Sequence, residues 1–308
     1  QMRTGLLAVM GVLVTCAAIT MLVREAPVRE KGPGVEAGEL VRLTLMTAAF
    51  ALIIVGVGSA VRAILDWSAT LPPRQATAVA AAAGVVGMLV AVVLGVLVCV
   101  RIAVGHRARR ALPFTSWVVN RLAFLVAANG LSGFMLYFLQ ERFVDLQAER
   151  AAGPASSAVM LVGLFILLTA VPSGWVADRI GKRSLVALSG VVATAGMTIL
   201  LLIPTMATVY VGGSLIGVAV GMFFATNWAL GTELVPREEA GRYLGLANLA
   251  GAGAGAIGAY IGGPIADQNS YVLVYGIYGS LFLASILALG ALPVGRVGVP
   301  PKRQVESS

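Results

Sequence analysis

The chain has little charge. Only 12% of its 308 residues are Asp, Glu, Lys or Arg, whereas soluble domains carry about 25%. Hydrophobic residues make up 58%, and the mean hydropathy is +0.91. The apolar residues gather in blocks of roughly 18 or more, each long enough to cross a hydrocarbon layer of about 30 Å. The composition therefore excludes a water-soluble core and predicts an all-α, polytopic membrane protein embedded in a lipid bilayer.

Residues that build disulfides, metal sites or phosphate sites are scarce. Cys16 and Cys99 both fall in apolar blocks and are expected to be small buried hydrophobes. The single histidine, His106, lies in a basic connection, where a positively charged flank is the expected role. The G-x-x-x-x-G-K-[ST] phosphate loop does not occur in the sequence. We therefore expect no metal, no cofactor and no ATP site.

Hydropathy divides the chain into candidate spans joined by short connections. The longest connection, 24–43, combines prolines, glycines and mixed charges and is the best candidate linker. The first block lacks a basic leader, so a signal peptide is not expected, and the initial Gln1 suggests that the natural N-terminus lies upstream. The nine predicted spans are 5–23, 44–65, 76–104, 115–139, 157–177, 184–203, 207–230, 243–264 and 271–294.

The basic residues predict how the spans are oriented. A net charge of +8 could suggest nucleic-acid binding, but the Lys and Arg residues sit in short connections instead of on one amphipathic face, so no nucleic-acid partner is expected. When the connections alternate between two sides, 17 of the 22 basic residues, Arg121 among them, fall on one side. The positive-inside rule then predicts a multi-pass protein of the cell membrane with a cytoplasmic C-terminal tail.

Glycine is abundant inside the predicted spans, with 37 residues in all. Small residues let helix backbones approach closely in a membrane, where lipid supplies no hydrophobic drive for helix association. The span 243–264 shows the clearest pattern, because one face of about 80° carries Asn248 and four glycines. We expect that face to pack against a neighbouring helix through Gly251, Gly255, Gly258 and Gly262.

The connection after the fifth span carries the most specific motif of the chain. The segment 174–183 reads GWVADRIGKR, and it resembles the signature loop G-x-x-x-D-R-x-G-[RK]-[RK] of the major facilitator superfamily of transporters. Gly181 permits a tight turn, and Asp178 could accept hydrogen bonds from Arg179 or Arg183 or lie at a helix N-terminus. By resemblance, the loop would stabilise one of two access states. The predicted gating residues are Gly174, Asp178, Arg179, Gly181, Lys182 and Arg183.

A second resemblance extends from residue 221 to residue 267. The segments FATNWAL (224–230) and ELVPREEAGRYLGLAN (233–248) are similar to the tenth and eleventh helices of glycoside and sucrose transporters of the same superfamily. WVVNR (117–121) resembles, more weakly, the start of the seventh helix. This mapping implies a C-terminal six-helix half-bundle at 113–295, followed by a cytoplasmic tail at 296–308.

The region 1–112 holds about three further spans and has two interpretations. They are either helices four to six of the family, or helix six followed by a two-helix insertion in the central connection. The sequence after the first span, Arg24-Glu25-Ala26-Pro27, favours the insertion. Both interpretations imply a truncated chain whose N-terminal half would be a partner from the same protein.

Transporter sites lie near the bilayer midplane and use polar side chains on otherwise apolar helices. Interhelical hydrogen bonding is the alternative role of such residues. No carboxylate falls in the middle of a predicted span, although sugar-transporting relatives often place an aspartate near position 227, which argues against proton coupling at that position. The candidate substrate-binding residues are Asn129, Ser132, Tyr137, Gln140, Thr226, Asn227 and Asn248.

The sequence therefore predicts a secondary active transporter that moves a small solute, such as a sugar or glycoside, through alternating access. A non-transporting membrane scaffold with the same fold is the first alternative. A membrane-embedded transferase is the second, but it would need paired carboxylates or histidines at a membrane face. Only Glu233, Glu238 and Glu239 form an acidic cluster near a span end, without a histidine partner. We therefore expect no enzymatic activity.

Overall fold

The described part of the protein is helical throughout. The computed structural model describes residues 10–11, 14–15, 17–21, 37–105, 112–143, 145, 148–235 and 239–292. The chain divides into two units, residues 1–41 and residues 42–308. In the first unit, the described residues between 10 and 21 are helical. Most of the predicted span 5–23 and all of the tail 296–308 lie outside the described residues.

Eight long helices follow one another in the described part of the chain. All eight are long and apolar enough to cross a membrane, which confirms the eight predicted spans from 44–65 onward and the all-α polytopic fold class. Most extend a few residues beyond the apolar blocks at one or both ends. The helices are α1 (Ala37–Ser68), α2 (Pro73–Val104), α3 (Leu112–Arg142), α4 (Ala152–Ile180), α5 (Lys182–Leu202), α6 (Met206–Leu234), α7 (Ala240–Gln268) and α8 (Tyr271–Ala288).

Local sequence signals account for several helix ends. Thr205 and Thr208 form a capping box at the start of α6, and Ser270 accepts hydrogen bonds from two backbone N–H groups at the start of α8. Pro73 opens α2, where its missing N–H leaves no donor unsatisfied. Between α4 and α5 the chain turns at one residue, Gly181, whose φ of 93° strongly favours glycine. Its N–H still donates to the Ala177 carbonyl, 3.0 Å away.

The helix α3 occupies the centre of the helical assembly. In its most apolar stretch 61% of the residues are buried, against 6% in α4 and 17% in α1. Aromatic rings fill the space between α3 and its neighbours: Phe124 stacks on Phe223 of α6 at 3.8 Å and meets Phe282 of α8 edge to face at 5.0 Å, measured between ring centroids. Asn120 and Arg121 in the first half of α3 are therefore surrounded by protein, whereas much of the α4 surface is left open.

Helices α1 and α2 form a hairpin that packs on the later helices. A Cβ atom at Gly87 of α2 would lie 2.5 Å from Val61 of α1, and one at Gly84 would lie 2.5 Å from Ile277 of α8. Phe50 of α1 contacts both Gly95 of α2 and Gly253 of α7. The hairpin thus lies against the side of the assembly formed by α7 and α8. The division at residues 112 and 295 stays a prediction.

The closest backbone contacts involve α6. A Cβ at Gly212 would lie 2.6 Å from the carbonyl oxygen of Gly196 in α5, and a Cβ at Gly217 would lie 2.6 Å from that of Val162 in α4. Gly221 is in a similar position, 2.7 Å from the Ile166 carbonyl. Backbone atoms cannot rotate away as side chains do. Glycine at these positions is therefore what allows α6 to lie directly on both neighbours.

Candidate functional site

A network of buried polar groups joins α3 to α6 and α8. The Arg121 guanidinium donates through Nη1 to Asn227 Oδ1 at 3.0 Å, and Asn227 Nδ2 donates to Asn120 Oδ1 at 3.2 Å. Asn120 Nδ2 in turn donates to the Ser285 carbonyl of α8 at 2.8 Å. The Trp117 indole donates to the Asn227 carbonyl at 3.0 Å. These four residues of α3 and α6 are at most 5% exposed, so the bonds form away from water.

Arg121 is a buried cation within a helix long enough to span the membrane. Its side chain lies over the Trp228 ring, with Cζ 4.2 Å from the ring centroid, and this contact gives the cation an electrostatic partner. The Nε atom is buried and makes no hydrogen bond. The ion pairs within the described residues do not include Arg121. A charge in this position is costly in a membrane and is typical of a functional site.

The structure corrects the sequence interpretation of Arg121. The alternation of connections assigns it to the basic residues of the connections, but it lies nine residues into α3, about 14 Å from the start of the helix. Asn227 lies seven residues before the end of α6, about 10 Å from that end. The sequence alone indicates that Arg121 lies within a span, because position 121 falls inside the predicted span 115–139. The remaining basic residues still give the same sidedness.

A cavity of about 160 Å³ lies between α3, α4 and α6. Asn129 and Ser132 of α3 are on its wall, and both side chains are exposed. They are the polar side chains among the described lining residues. The other large lining side chains are apolar: Leu131, Met135, Val159, Val162, Ile166, Leu200, Ile216, Val220 and Phe224. Two of the predicted substrate-binding residues are thus brought together in a space that a small ligand could enter.

Thr226 and Asn227 have no comparable opening. Both are fully buried, and neither lines the cavity. The Thr226 hydroxyl donates to the Met222 carbonyl of its own helix at 2.7 Å. Asn227 is occupied by its bonds to Asn120 and Arg121. In this conformation Asn227 fits the interhelical bonding role better than solute contact, and Thr226 bonds within its own helix.

The remaining substrate-binding candidates lie elsewhere. Tyr137 is 48% exposed and stacks on Tyr271 of α8, with ring centroids 5.4 Å apart. Gln140 is half-buried, two residues before the end of α3. Asn248 is exposed on α7. None of these three lines the cavity that contains Asn129.

Among the described residues, the signature loop forms one ion pair between helices. Lys182, at the start of α5, pairs with Glu233 near the end of α6. The Arg179 guanidinium lies over the Trp175 ring at 3.6 Å from the centroid. Asp178 is exposed and makes no hydrogen bond or ion pair with the described residues, so the contact that we expected with Arg179 or Arg183 is not formed here.

The remaining signature residues show where the loop bends. Gly181 makes the turn, whereas Gly174 lies inside α4, with no atom within 4 Å of its Cβ position. Arg183 is half-buried in the first turn of α5. A gating function of the loop stays a prediction.

The glycine face of α7 is only partly in contact with neighbours. A Cβ at Gly262 would lie 2.6 Å from the Tyr278 hydroxyl, and one at Gly258 would lie 3.5 Å from the same oxygen. At Gly251 the nearest atoms are Leu125 Cδ1 at 3.5 Å and the Arg121 guanidinium. Gly255 differs from the expectation, because nothing lies within 4 Å of its Cβ position. Close packing therefore covers only the second half of this face.

Comparison with known proteins identifies the class. Residues 122–307, more than half of the chain, match the Major Facilitator Superfamily. The chain therefore belongs to the Major Facilitator Superfamily. The match begins within α3, at the residue after Arg121, and includes all of α4 to α8.

Two curated relatives come from Mycobacterium tuberculosis, from strains CDC 1551 / Oshkosh and ATCC 25618 / H37Rv. They are named Uncharacterized MFS-type transporter MT1926 and Uncharacterized MFS-type transporter Rv1877. Each is 27% identical to this chain over 198 residues, which is 64% of this chain and 28% of the relative. The chain thus spans less than a third of the length of these relatives. No solved structure matches the chain.

Proposed function

We propose that this chain is part of a secondary active transporter that moves a small solute across the cell membrane by alternating access. The observation that carries the proposal is the cavity between α3, α4 and α6, in a chain of the Major Facilitator Superfamily. The names of the two mycobacterial relatives support transport as the class of function. The proposed solute contacts are Asn129 and Ser132.

The depth of the cavity supports this assignment. Asn129 is residue 18 of the 31 residues of α3, so roughly 26 Å of helix precede it and 20 Å follow it. The α6 residues on the opposite wall, Gly213 to Phe224, lie around the middle of that helix. Midway positions on two spanning helices correspond to the bilayer midplane, where transporters of this type bind their solutes.

The residues that line the cavity indicate which class of solute it could bind. The resemblance to glycoside and sucrose transporters favours a sugar or glycoside. Each sugar hydroxyl that leaves water needs a hydrogen-bonding partner, and the described lining offers the side chains of Asn129 and Ser132 among apolar groups. An amphipathic solute with one or two polar groups fits this lining better. A sugar would need further polar groups from the N-terminal half, which we propose as the partner that completes the site.

The proposal includes the orientation of the chain in the membrane and the assignment of α1 and α2. The basic residues in the connections after α2, α4, α6 and α8 support a cytoplasmic location for those connections and for the C-terminus. The α1–α2 hairpin packs on α7 and α8, and the family match begins only after both helices. Both observations favour a two-helix insertion before the C-terminal half over family helices five and six.

Cysteine accessibility tests the proposal on the full-length protein in sealed vesicles. Native Cys16 and Cys99 are first replaced by alanine, and Ser132→Cys is introduced into the cavity. We expect a membrane-impermeant thiol reagent to reach this cysteine from either side of the membrane, with the preferred side changing when the solute gradient is reversed. The matched control is Val191→Cys, in the middle of α5 on an exposed surface outside the cavity.

The control cysteine should react from neither side if it faces lipid. Reaction of Ser132→Cys from neither side, or from one side under every gradient, would contradict alternating access at this cavity. Competition by sugars against amphipathic solutes, measured as protection of the same cysteine, then decides between the two solute classes.

A further inference from the structure

The guanidinium of Arg121 has one edge that makes no hydrogen bond with the described residues. Nη1 donates to Asn227, and the face of the group lies over Trp228. The opposite edge, formed by Nε and Nη2, points toward α7, where a Cβ at Gly251 would lie 3.9 Å and 3.8 Å from these two atoms. Nε makes no hydrogen bond, although Arg121 is only 5% exposed.

The charge balance around this edge calls for an anion. Buried cations in proteins are normally paired, because the cost of removing them from water is otherwise not recovered. An amide oxygen and an aromatic ring satisfy Arg121 in part. The ion pairs formed by the described residues leave it without a carboxylate. A negative group at the Nε–Nη2 edge would complete both its hydrogen bonding and its charge.

The surface of α7 leaves room for such a group. Gly251 has no side chain to fill the space next to Arg121, and Gly255, one turn further on, has nothing within 4 Å of its Cβ position. The α7 surface at Gly251 and Gly255 is half-buried, so it is not sealed by other helices. The Nε surface itself is closed in this conformation, so a ligand would reach the edge along this side of α7 once α3 and α7 separate in another access state.

We propose that the Nε–Nη2 edge of Arg121 binds the carboxylate of the transported solute, which is therefore an organic monoanion. This inference rests on the proposed transport function and names the class of its substrate. The Nε–Nη2 edge presents two parallel N–H groups, which match the two oxygens of a planar carboxylate. A single cation beside Leu125 and Trp228 balances one negative charge and suits an apolar body behind it.

The site is separate from the wall of the cavity. Arg121 precedes Asn129 by eight residues, about 12 Å along α3 toward its first residue. It also faces α7, whereas the cavity lies between α3, α4 and α6. On the proposed orientation, the carboxylate site lies on the cytoplasmic side of the cavity, as a second contact on the route of the solute to or from Asn129 and Ser132.

Ligand-dependent thermal stability of the purified full-length protein tests the inference. The probes are butyrate and benzoate, each compared with its neutral amide at the same ionic strength in chloride. A ligand that binds only the folded protein raises Tm in a saturable manner. We expect both carboxylates to do so and both amides to leave Tm unchanged. An equal response to the amides, or no saturable response to either carboxylate, overturns the proposal.

Two variants locate the binding on Arg121. Arg121→Gln should weaken carboxylate binding by about ten- to a hundredfold, the loss expected for charge-assisted hydrogen bonds. Gly251→Val keeps the arginine and fills the space beside it, and it should weaken binding without loss of the folded state. The matched control is Gly245→Val on the same helix, where nothing lies within 4 Å of the Cβ position. Unchanged carboxylate affinity in Gly251→Val overturns the proposal even if Arg121→Gln does not fold.

Solute flux measured on the same preparations separates this inference from the transport proposal. Carboxylate binding that depends on Arg121, in a protein that moves no solute under any gradient, supports the anion site and contradicts transport. Flux of neutral solutes that is unchanged in Arg121→Gln supports transport and overturns the assignment of a carboxylate solute. A saturable response to chloride in place of the carboxylates also overturns it, because the edge then binds inorganic anions.

Discussion

Replacement of Asn227 by leucine should destabilise the protein through the partners that it leaves behind. The side chain is fully buried and bridges Arg121 and Asn120 at 3.0 and 3.2 Å. Leucine has a similar size but can neither accept from the guanidinium nor donate to the asparagine. A buried polar group without a partner costs about 1–3 kcal/mol. Measured interhelical bonds in membranes are weaker, about 0.6 kcal/mol on average and up to about 2 kcal/mol.

Two lost bonds, one of them to a cation, then correspond to about 2–4 kcal/mol. For a chain of this size the loss should lower Tm by roughly 3–6 °C, measured as an apparent value in detergent or nanodiscs. The neighbouring Thr226→Val is the matched control, because the Thr226 hydroxyl bonds only to its own helix and is equally buried. Its effect should stay below about 1 kcal/mol.

A double-mutant cycle with Arg121→Met distinguishes a lost contact from a packing defect. If the two side chains interact as the structure shows, the pair of substitutions should cost less than the sum of the single ones, by about 1–3 kcal/mol. The reason is that the double variant contains neither the cation nor the acceptor that it needs. Additive effects, or an Asn227→Leu protein with unchanged Tm, would refute the argument that this network stabilises the contact between α3 and α6.

Three further outcomes follow from the contacts of single residues. Gly217→Ala should lower the free energy of unfolding by about 1–3 kcal/mol, because the added methyl group meets a backbone carbonyl of α4. Gly255→Ala should be tolerated, because nothing lies within 4 Å of its Cβ position. Equal Tm values for the two variants would contradict the packing argument. Asp178→Asn should leave Tm unchanged and, if the loop stabilises one access state, should lower solute flux about ten- to a hundredfold. Flux and cytoplasmic cysteine accessibility are measured on the same sample. Unchanged flux and unchanged accessibility exclude that role. A reporter after Ser308 should be cytoplasmic and one inserted near Ala152 external, and the reverse pattern would overturn the topology.

The helices and their order followed from the sequence because they depend on local properties. An apolar block of sufficient length must satisfy its backbone hydrogen bonds within itself when it enters lipid, and the helix achieves this. The turn between α4 and α5 is equally local, since Gly181 adopts a positive φ that other residues avoid. The signature motif around it pointed to the superfamily that residues 122–307 then matched.

The helix contacts could not be derived in the same way. A glycine-rich face on α7 was visible in the sequence, yet the shortest backbone approaches belong to Gly212, Gly217 and Gly221 of α6. Periodicity shows that one face of a helix carries only small side chains. It does not show which neighbour lies against it, because that depends on how several helices cross at once.

The candidate site shows the same division between local and tertiary information. The sequence by itself determined that Asn129, Ser132, Thr226 and Asn227 would be polar groups at membrane depth, since their position within an apolar span fixes that depth. Only the tertiary structure decided that the first two line a cavity while Asn227 is bonded to Arg121. The physical reason is that a polar side chain in lipid must find a partner, and whether the partner is another helix or a solute depends on which helices meet there.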